Sequence, residues 1–309
     1  MEGKILLRDD QDPDPQRRYK VVWQSIAKPN KPGPEDVRSK SLAYGPDVEN
    51  LTDSPANPII SPNDGLEQEI HFLMLAPYRG MYVMPYEYGW YVPNDTGIYG
   101  SYCADIRLAF SRDGEHYERV QPHQKVIVRG QRGEWDDGFL VISDKPVIKD
   151  DKIYLYYCGQ GEDWTCWPGT NKPPTYQYPS SGTVRVSRMG LATLRLDGFT
   201  CLETTDRETP GSVPTEPIDV TDKNVELVVN VSDVQRDRSW VEVEVLDAER
   251  DEVLSGLSRE QCVDVYQDAV RVPVAWQGAS LGQLNRSPFR LRLHLYGAAR
   301  LYAFGFDPA

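Results

Sequence analysis

Carboxylate side chains recur at the head of three similar stretches of this 309-residue sequence. They lie in Asp9–Asp14, Glu67–Glu69 and Glu134–Asp137, and each group precedes a run of aromatic and aliphatic residues. Cleavage of a glycosidic bond needs two carboxyl groups, one that protonates the leaving oxygen and one that attacks or activates water. A fold that brings the three heads together would supply such a pair, so the sequence indicates paired-carboxylate chemistry.

Glu67, Glu69 and His71 alternate along one of these stretches. Alternate residues of an extended chain point to the same face, so the three side chains are predicted to lie side by side. Like charges this close perturb each other, which suits a carboxyl group that keeps its proton near neutral pH. Two solvated surface carboxylates are the alternative. His71 is predicted to hold a carboxylate or a sugar hydroxyl, or else to be a hydrogen-bonded core histidine.

Several aromatic residues of the next run would share one face of a strand. Their flat rings suit the apolar faces of sugars, with packing between layers of sheet as the alternative. The residues on this face are Tyr82, Met84, Tyr86, Tyr88 and Trp90.

Three further tryptophan and carboxylate candidates complete the predicted binding site. Glu87 interrupts the aromatic run on the opposite face and is a second candidate for a polar site. Trp164 and Trp167 stand in a long proline-rich segment, 159–181, which is predicted to form a rim over the site because loops of this length are often functional. Trp90, Trp164 and Trp167 are therefore predicted to contact a ligand.

The composition excludes several classes of function. A net charge of −13 disfavours nucleic acid and anionic membrane surfaces as partners. The four histidines have no metal-ligand spacing, and Asp9–Asp14 lacks the glycine and final glutamate of an EF-hand, so no metal is expected. No dinucleotide-binding or phosphate-binding glycine motif occurs, and no cofactor is predicted.

Residues 1–10 lack the apolar core of a signal peptide, so a cytoplasmic location is the default expectation, with secretion if the chain is processed.

An internal repeat organises the first two-thirds of the chain. Each unit consists of an acidic segment, an aromatic strand, a loop and a strand of the type Leu-Ala-aromatic with a following Asp. Antiparallel strands repeated in this way predict β-propeller blades, with a run of hairpins in one sandwich as the alternative. The matching strands are Ser41–Asp47, Arg107–Asp113 and Gly190–Gly198.

The last third alternates differently. Trp240, Glu242 and Glu244 would share one face of a strand and the intervening valines the other, which is typical of a half-buried antiparallel sheet. Five such strands predict a β-sandwich. The sequence thus predicts an all-β chain with partial propeller blades at 1–203, a linker at 204–217 and an antiparallel sandwich at 218–309.

These elements resemble the five-bladed propeller glycoside hydrolases of the family 32 and family 43 type. The last third resembles the β-sandwich that follows the propeller along the chain in family 32. The resemblance covers almost the whole chain, and its motifs are more specific for fold than for activity. The segments that carry it are Arg8–Pro15, Gly65–Phe72, Leu108–Val120 and Val241–Glu249.

The resemblance implies roles for individual carboxylates. Arg8-Asp9-Asp10 is similar to the family's Arg-Asp-Pro motif with Asp in place of Pro, so Asp9 would be the stabiliser. Glu69, with Glu67 as the alternative, would be the general acid. Asp137, with Asp136 beside it, heads the next unit and would face the same funnel.

The chain also departs from this family. It shows three blade-like units where the family has five, and the blade that carries the family's nucleophile or base would lie before Met1. The resemblance therefore implies a hydrolase or a fragment of one, with a non-catalytic carbohydrate-binding or scaffold protein as the alternative. A propeller that binds other proteins is the third option. Open blade edges predict self-association.

Overall fold

The computed structural model of the chain describes residues 4–27, 37–91, 102–121, 124–131, 134–160, 187–220, 225–283 and 288–308. The chain divides into two compact units, which are Met1–Val147 with Tyr154–Thr193 and Ile148–Ile153 with Leu194–Ala309. The described residues are almost entirely strands and turns, with short 3-10 helices, so the all-β prediction of partial propeller-type blades and sandwich sheets is confirmed. No helix within the described ranges is long and apolar enough to cross a membrane.

The first sheet of the first unit has four antiparallel strands in sequence order. Ile5 and Leu7 are buried, whereas Leu6 and Arg8 are exposed, which is the two-residue period of a half-buried strand. Strands that simply follow one another in an antiparallel sheet are the pattern of a propeller blade. The strands are β1 (Ile5–Arg8), β2 (Tyr19–Ala27), β3 (Val37–Gly45) and β4 (Thr52–Asp53).

Another sheet has eight strands around a long hairpin. The hairpin strands pair from Tyr82 with Ser111 to Tyr91 with Tyr102, and a single parallel pair, Ala104 with Phe139, joins them to the next strands. The strands are β5 (Ala76–Tyr78), β6 (Met81–Tyr91), β7 (Tyr102–Ser111), β8 (Glu118–Arg119), β9 (Phe139–Ile142), β10 (Val147–Lys149), β11 (Lys152–Gln160) and β12 (Arg188–Arg195).

The aromatic face of β6 packs between the two sheets. Tyr82, Tyr86 and Tyr88 are buried in one hydrophobic cluster with Ile5 and Leu42 of the first sheet. These rings therefore form the core between two layers, which was the alternative to sugar stacking. The pleat then turns Glu87 towards the opposite face of β6.

The second unit contains two three-stranded antiparallel sheets. Val241, Val243 and Val245 are buried in its core, whereas Glu242 lies on the outer face, as the alternation predicts. One sheet has the order β13-β17-β15 and the other β16-β14-β18. The strands are β13 (Gly211–Pro214), β14 (Val225–Ser232), β15 (Val241–Asp247), β16 (Ala269–Pro273), β17 (Phe289–Leu295) and β18 (Arg300–Pro308).

The segment predicted as a linker contributes to this second unit. Within 204–217, β13 pairs with β17 from Gly211 opposite Leu295 to Pro214 opposite Arg292. Proline at the end of an edge strand is compatible with pairing because its missing N–H faces away from the neighbour. The polar, proline-rich composition of this segment therefore marks an edge strand as well as a connection.

Candidate functional site

Asp9 lies in a closed network of charged groups. It follows β1, its side chain is 0% exposed, and its Oδ2 accepts hydrogen bonds from Lys20 Nζ at 2.7 Å and the Tyr82 hydroxyl at 2.6 Å. Its other oxygen, Oδ1, accepts from the backbone N–H of Gln11 at 3.2 Å. Protein groups thus enclose the Asp9 carboxylate.

Lys20 joins Asp9 to a second acidic side chain. Lys20 Nζ also donates to Asp12 Oδ2 at 2.7 Å and to the Arg17 carbonyl at 3.0 Å, and Arg17 Nε lies 3.1 Å from Asp12 Oδ2. Burial raises the pKa of Asp12, but hydrogen bonds from Lys20, the Asp14 backbone and Arg17 outweigh burial and leave the pKa below its ordinary value. We call Asp9, Asp12, Arg17 and Lys20 the Lys20 network. Its geometry is that of a structural ion-pair network.

Glu69 has a different environment. Arg38 Nη1 of β3 lies 2.7 Å from Glu69 Oε1 and 2.6 Å from Oε2, and His71 Nε2 lies 2.7 Å from Oε2. The Glu69 side chain is 18% exposed and that of Arg38 is 21% exposed. We call Arg38, Glu69 and His71 the Glu69 cluster. It presents a carboxylate, a guanidinium and an imidazole together at a partly exposed position.

Two buried groups hold the Glu69 cluster from behind. Lys40, two residues after Arg38 on β3, donates from Nζ to the His71 carbonyl. Glu87 Oε2 accepts from the backbone N–H groups of His71 and Phe72, each at 2.8 Å. Burial raises the pKa of Glu87 to about 7, against the opposing effects of His71, the two backbone N–H groups and the Tyr102 hydroxyl. Glu87 is 0% exposed, so it supports the cluster from within.

Glu67 forms an ion pair with an arginine of another strand. Its Oε2 accepts from Arg119 Nη1 of β8 at 2.7 Å and from the Asn63 backbone N–H at 3.2 Å. Arg119 also donates to the Tyr86 hydroxyl and the Ser61 carbonyl. Burial raises the pKa of Glu67 to about 7 despite the positive charge of Arg119. The two glutamates predicted to lie side by side therefore contact different elements.

Asp136 and Asp137 lie just before β9 and are both largely buried. Asp136 Oδ2 accepts from the Tyr157 hydroxyl at 3.0 Å, and burial together with Asp136 raises the Tyr157 pKa to about 12. The Asp137 carbonyl accepts from Arg129 Nη1 at 2.7 Å. Rings connect this region to the Glu69 cluster, because Tyr102 contacts both His71 at 5.0 Å and Phe139 at 5.2 Å between ring centroids.

The predicted tryptophan contacts lie in different places. Trp90 is half-buried at the end of the aromatic face, with the Arg129 guanidinium 4.9 Å above its ring and the Tyr88 ring 6.0 Å away. One face of the Trp90 ring is therefore already occupied by a cation. Trp164 and Trp167 lie outside the described residues.

Sequence reasoning missed the cations that pair with these carboxylates. Lys20, Arg38, Lys40 and Arg119 all occur in strands, where a lysine or arginine normally indicates the solvent face. The signal that was present is alternation, because Arg38 and Lys40 share one face of β3 just before the buried Leu42. In the described part of the chain, no group of three or more His, Cys, Asp or Glu side chains is placed to hold a metal ion.

No family model matches this chain, and no curated protein matches it. A solved structure described as a glycoside hydrolase is similar, with 15% identity over 67% of this chain and 49% of its own and a TM-score of 0.41. An N-acetylgalactosamine deacetylase from F. plautii, in complex with blood group B trisaccharide, has 13% identity over 64% of this chain and 51% of its own, with a TM-score of 0.40.

A third similar structure extends over nearly the whole chain. It is a glycoside hydrolase family 43 arabinoxylan arabinofuranohydrolase from Bacillus subtilis in complex with cellotetraose. Its identity is 10% over 99% of this chain and 66% of its own, with a TM-score of 0.31. The chain spans about half the length of the first two structures.

Proposed function

We propose that this chain is a glycoside hydrolase-like protein that binds a carbohydrate at the Glu69 cluster. The observation that carries the proposal is the position of Glu69, which is partly exposed and fixed by Arg38 and His71. Sugar hydroxyls both donate and accept hydrogen bonds, and a carboxylate beside a guanidinium supplies both partners within one site. Asp9, by contrast, is 0% exposed and is committed to Lys20 and Tyr82.

The surroundings of Glu69 favour one role for it over another. The positive charge of Arg38, with two short hydrogen bonds, favours the ionised carboxylate over the carboxylic acid. A general acid must instead hold its proton until it reaches the leaving oxygen. We therefore assign to Glu69 the role of an ionised acceptor for sugar hydroxyls, in place of the general acid that the family resemblance implied.

Hydrolysis is the second candidate function. It is favoured by Asp137, which heads the strand joined to the Glu69 cluster through the Tyr102 and Phe139 rings. Two carboxyl groups that flank the bond are the minimum that glycosidic cleavage needs. In that case Glu69 and Asp137 are the two members of the pair.

Replacing Glu69 with Gln is expected to weaken carbohydrate binding by about 10- to 100-fold, because a hydrogen bond to a charged group contributes roughly 1.5–3 kcal/mol. Isothermal titration calorimetry with a panel of neutral oligosaccharides measures this change. Glu118→Gln, at an exposed carboxylate of β8, is the matched control and should bind like wild type. Failure of the wild-type protein to bind any member of the panel would contradict the proposal.

Turnover separates the two candidate functions. Wild type, Glu69→Gln and Asp137→Asn are each incubated with aryl glycosides and short oligosaccharides. Release of product by wild type that is lost in both variants supports hydrolysis. Binding without turnover supports carbohydrate recognition alone.

A further inference from the structure

Glu87 is a fully buried carboxylate directly behind the Glu69 cluster. It lies on the face of β6 opposite the packed tyrosines, and its backbone pairs with Ile106 of β7. A buried carboxyl group in the middle of a sheet is costly unless it is hydrogen-bonded. Its location therefore indicates a specific task.

Glu87 holds the chain at His71 from two sides. Its Oε2 accepts the N–H groups of both His71 and Phe72, and its own backbone N–H donates to the Phe72 carbonyl at 2.9 Å. Regular strand pairing is sparse here, with isolated bridges only at Glu69 opposite Gly89 and Leu73 opposite Tyr86. Between these two bridges, the Glu87 side chain takes the place of missing ladder bonds.

Several polar groups lie between the Glu87 carboxylate and the Glu69 cluster or contact both of them. The His71 imidazole, which also meets Glu69, stabilises the ionised form of Glu87. The Tyr102 hydroxyl approaches from β7, and Lys40 of β3 donates to the His71 carbonyl. Glu69 and Glu87 therefore both interact with the same histidine.

We infer that Glu87 is a positioning residue whose protonation makes ligand binding at the Glu69 cluster depend on pH. The inference rests on the proposed carbohydrate site and adds its regulation. Ionised Glu87 makes charge-assisted hydrogen bonds to the His71 and Phe72 N–H groups, which are roughly twice as strong as neutral ones. We call these two hydrogen bonds to Glu87 the clamp. Protonation of Glu87 weakens the clamp and loosens the backbone that carries His71 and Glu69.

Two observations support the inference, namely the hydrogen bonds from the His71 and Phe72 N–H groups to Glu87 and the burial of the Glu87 carboxyl group. Burial raises the pKa of Glu87 to about 7, so its charge changes near neutral pH. Carbohydrate affinity is expected to be higher above this pH than below it, because the clamp is then ionised. Replacement by glutamine keeps an acceptor oxygen of the same reach and removes the titration.

Backbone amide NMR without any ligand tests the clamp. In wild type, the His71 and Phe72 amide resonances are expected to shift with a midpoint near pH 7, and the step should vanish in Glu87→Gln. Glu67→Gln is the matched control, because Glu67 also titrates near 7 but its carboxylate contacts Arg119 and Asn63. In that variant the step at His71 and Phe72 should remain.

Oligosaccharide affinity between pH 6 and pH 8 completes the test. Wild type should bind more tightly at pH 8, and Glu87→Gln should lose this dependence. An amide step without any carbohydrate affinity would refute the proposed function and leave the clamp in place. Affinity with no amide step, or a step that persists in Glu87→Gln, would overturn the inference about Glu87.

Discussion

Replacing Lys20 with Met is expected to lower the free energy of unfolding of the first unit by about 3–5 kcal/mol. Lys20 is 0% exposed and is the ammonium group that Asp9 and Asp12 share, at 2.7 Å from each. Removing one partner of a buried ion pair leaves an uncompensated buried charge, and this accounts for the size of the loss. Urea denaturation followed by tryptophan fluorescence and circular dichroism measures the change.

An exposed ion-pair residue in the loop that precedes β2 provides the control for Lys20. Asp10 pairs with Arg8 and Arg18 at 3.1 Å, but its side chain is 64% exposed. Asp10→Asn is therefore expected to change the free energy of unfolding by less than about 0.5 kcal/mol, as exposed pairs usually do. A Lys20→Met protein with the wild-type unfolding curve would show that the Lys20 network does not stabilise the unit.

The fold was largely predictable because a strand that is buried on one face alternates apolar and polar residues with a period of two. In Val241–Glu244, valines alternate with glutamates, and the structure places the valines in the core. The aromatic residues of β6 behave in the same way, and their shared face was predicted correctly. Whether that face meets another layer or a ligand depends on the packing of distant strands, which alternation does not encode.

The candidate site was less predictable because its partners come from far along the chain. Glu67 and Glu69 have the same residue type and lie two positions apart, yet one pairs with Arg119 and the other with Arg38. Strand pairing near them is irregular, with a single bridge at Glu69, so simple alternation does not hold there. The pairing of each carboxylate is fixed by tertiary packing.

Asp9 shows how a resemblance in sequence can point to a residue that serves the fold. The acidic run Asp9–Asp14 suited a catalytic stabiliser as well as an ion-pair network, because both need a carboxylate held beside a cation. Lys20, eleven residues later, distinguishes them by enclosing Asp9 with Tyr82. We therefore propose that Asp9 is structural, and the Lys20→Met experiment addresses this directly.

Between pH 4.5 and pH 7 the protein is expected to lose stability as the pH rises. Glu67 and Glu87 have folded pKa values of about 7, raised by burial from an ordinary value of 4.5. In this window the folded state binds protons that the unfolded state has released, so the free energy of unfolding falls with increasing pH and levels off above 7. A shift of this size at one group corresponds to roughly 3 kcal/mol.

Glutamine variants assign this loss to the two carboxyl groups. Glu67→Gln and Glu87→Gln should each flatten part of the slope between pH 4.5 and pH 7, and the double variant should remove most of it. Asp12 offers an internal contrast, because its lowered pKa contributes stability that is lost only as the pH falls below about 3.8. Urea denaturation at half-unit pH steps measures the curve. A wild-type protein whose stability rises from pH 4.5 to pH 7 would contradict the buried, proton-binding state assigned to both glutamates.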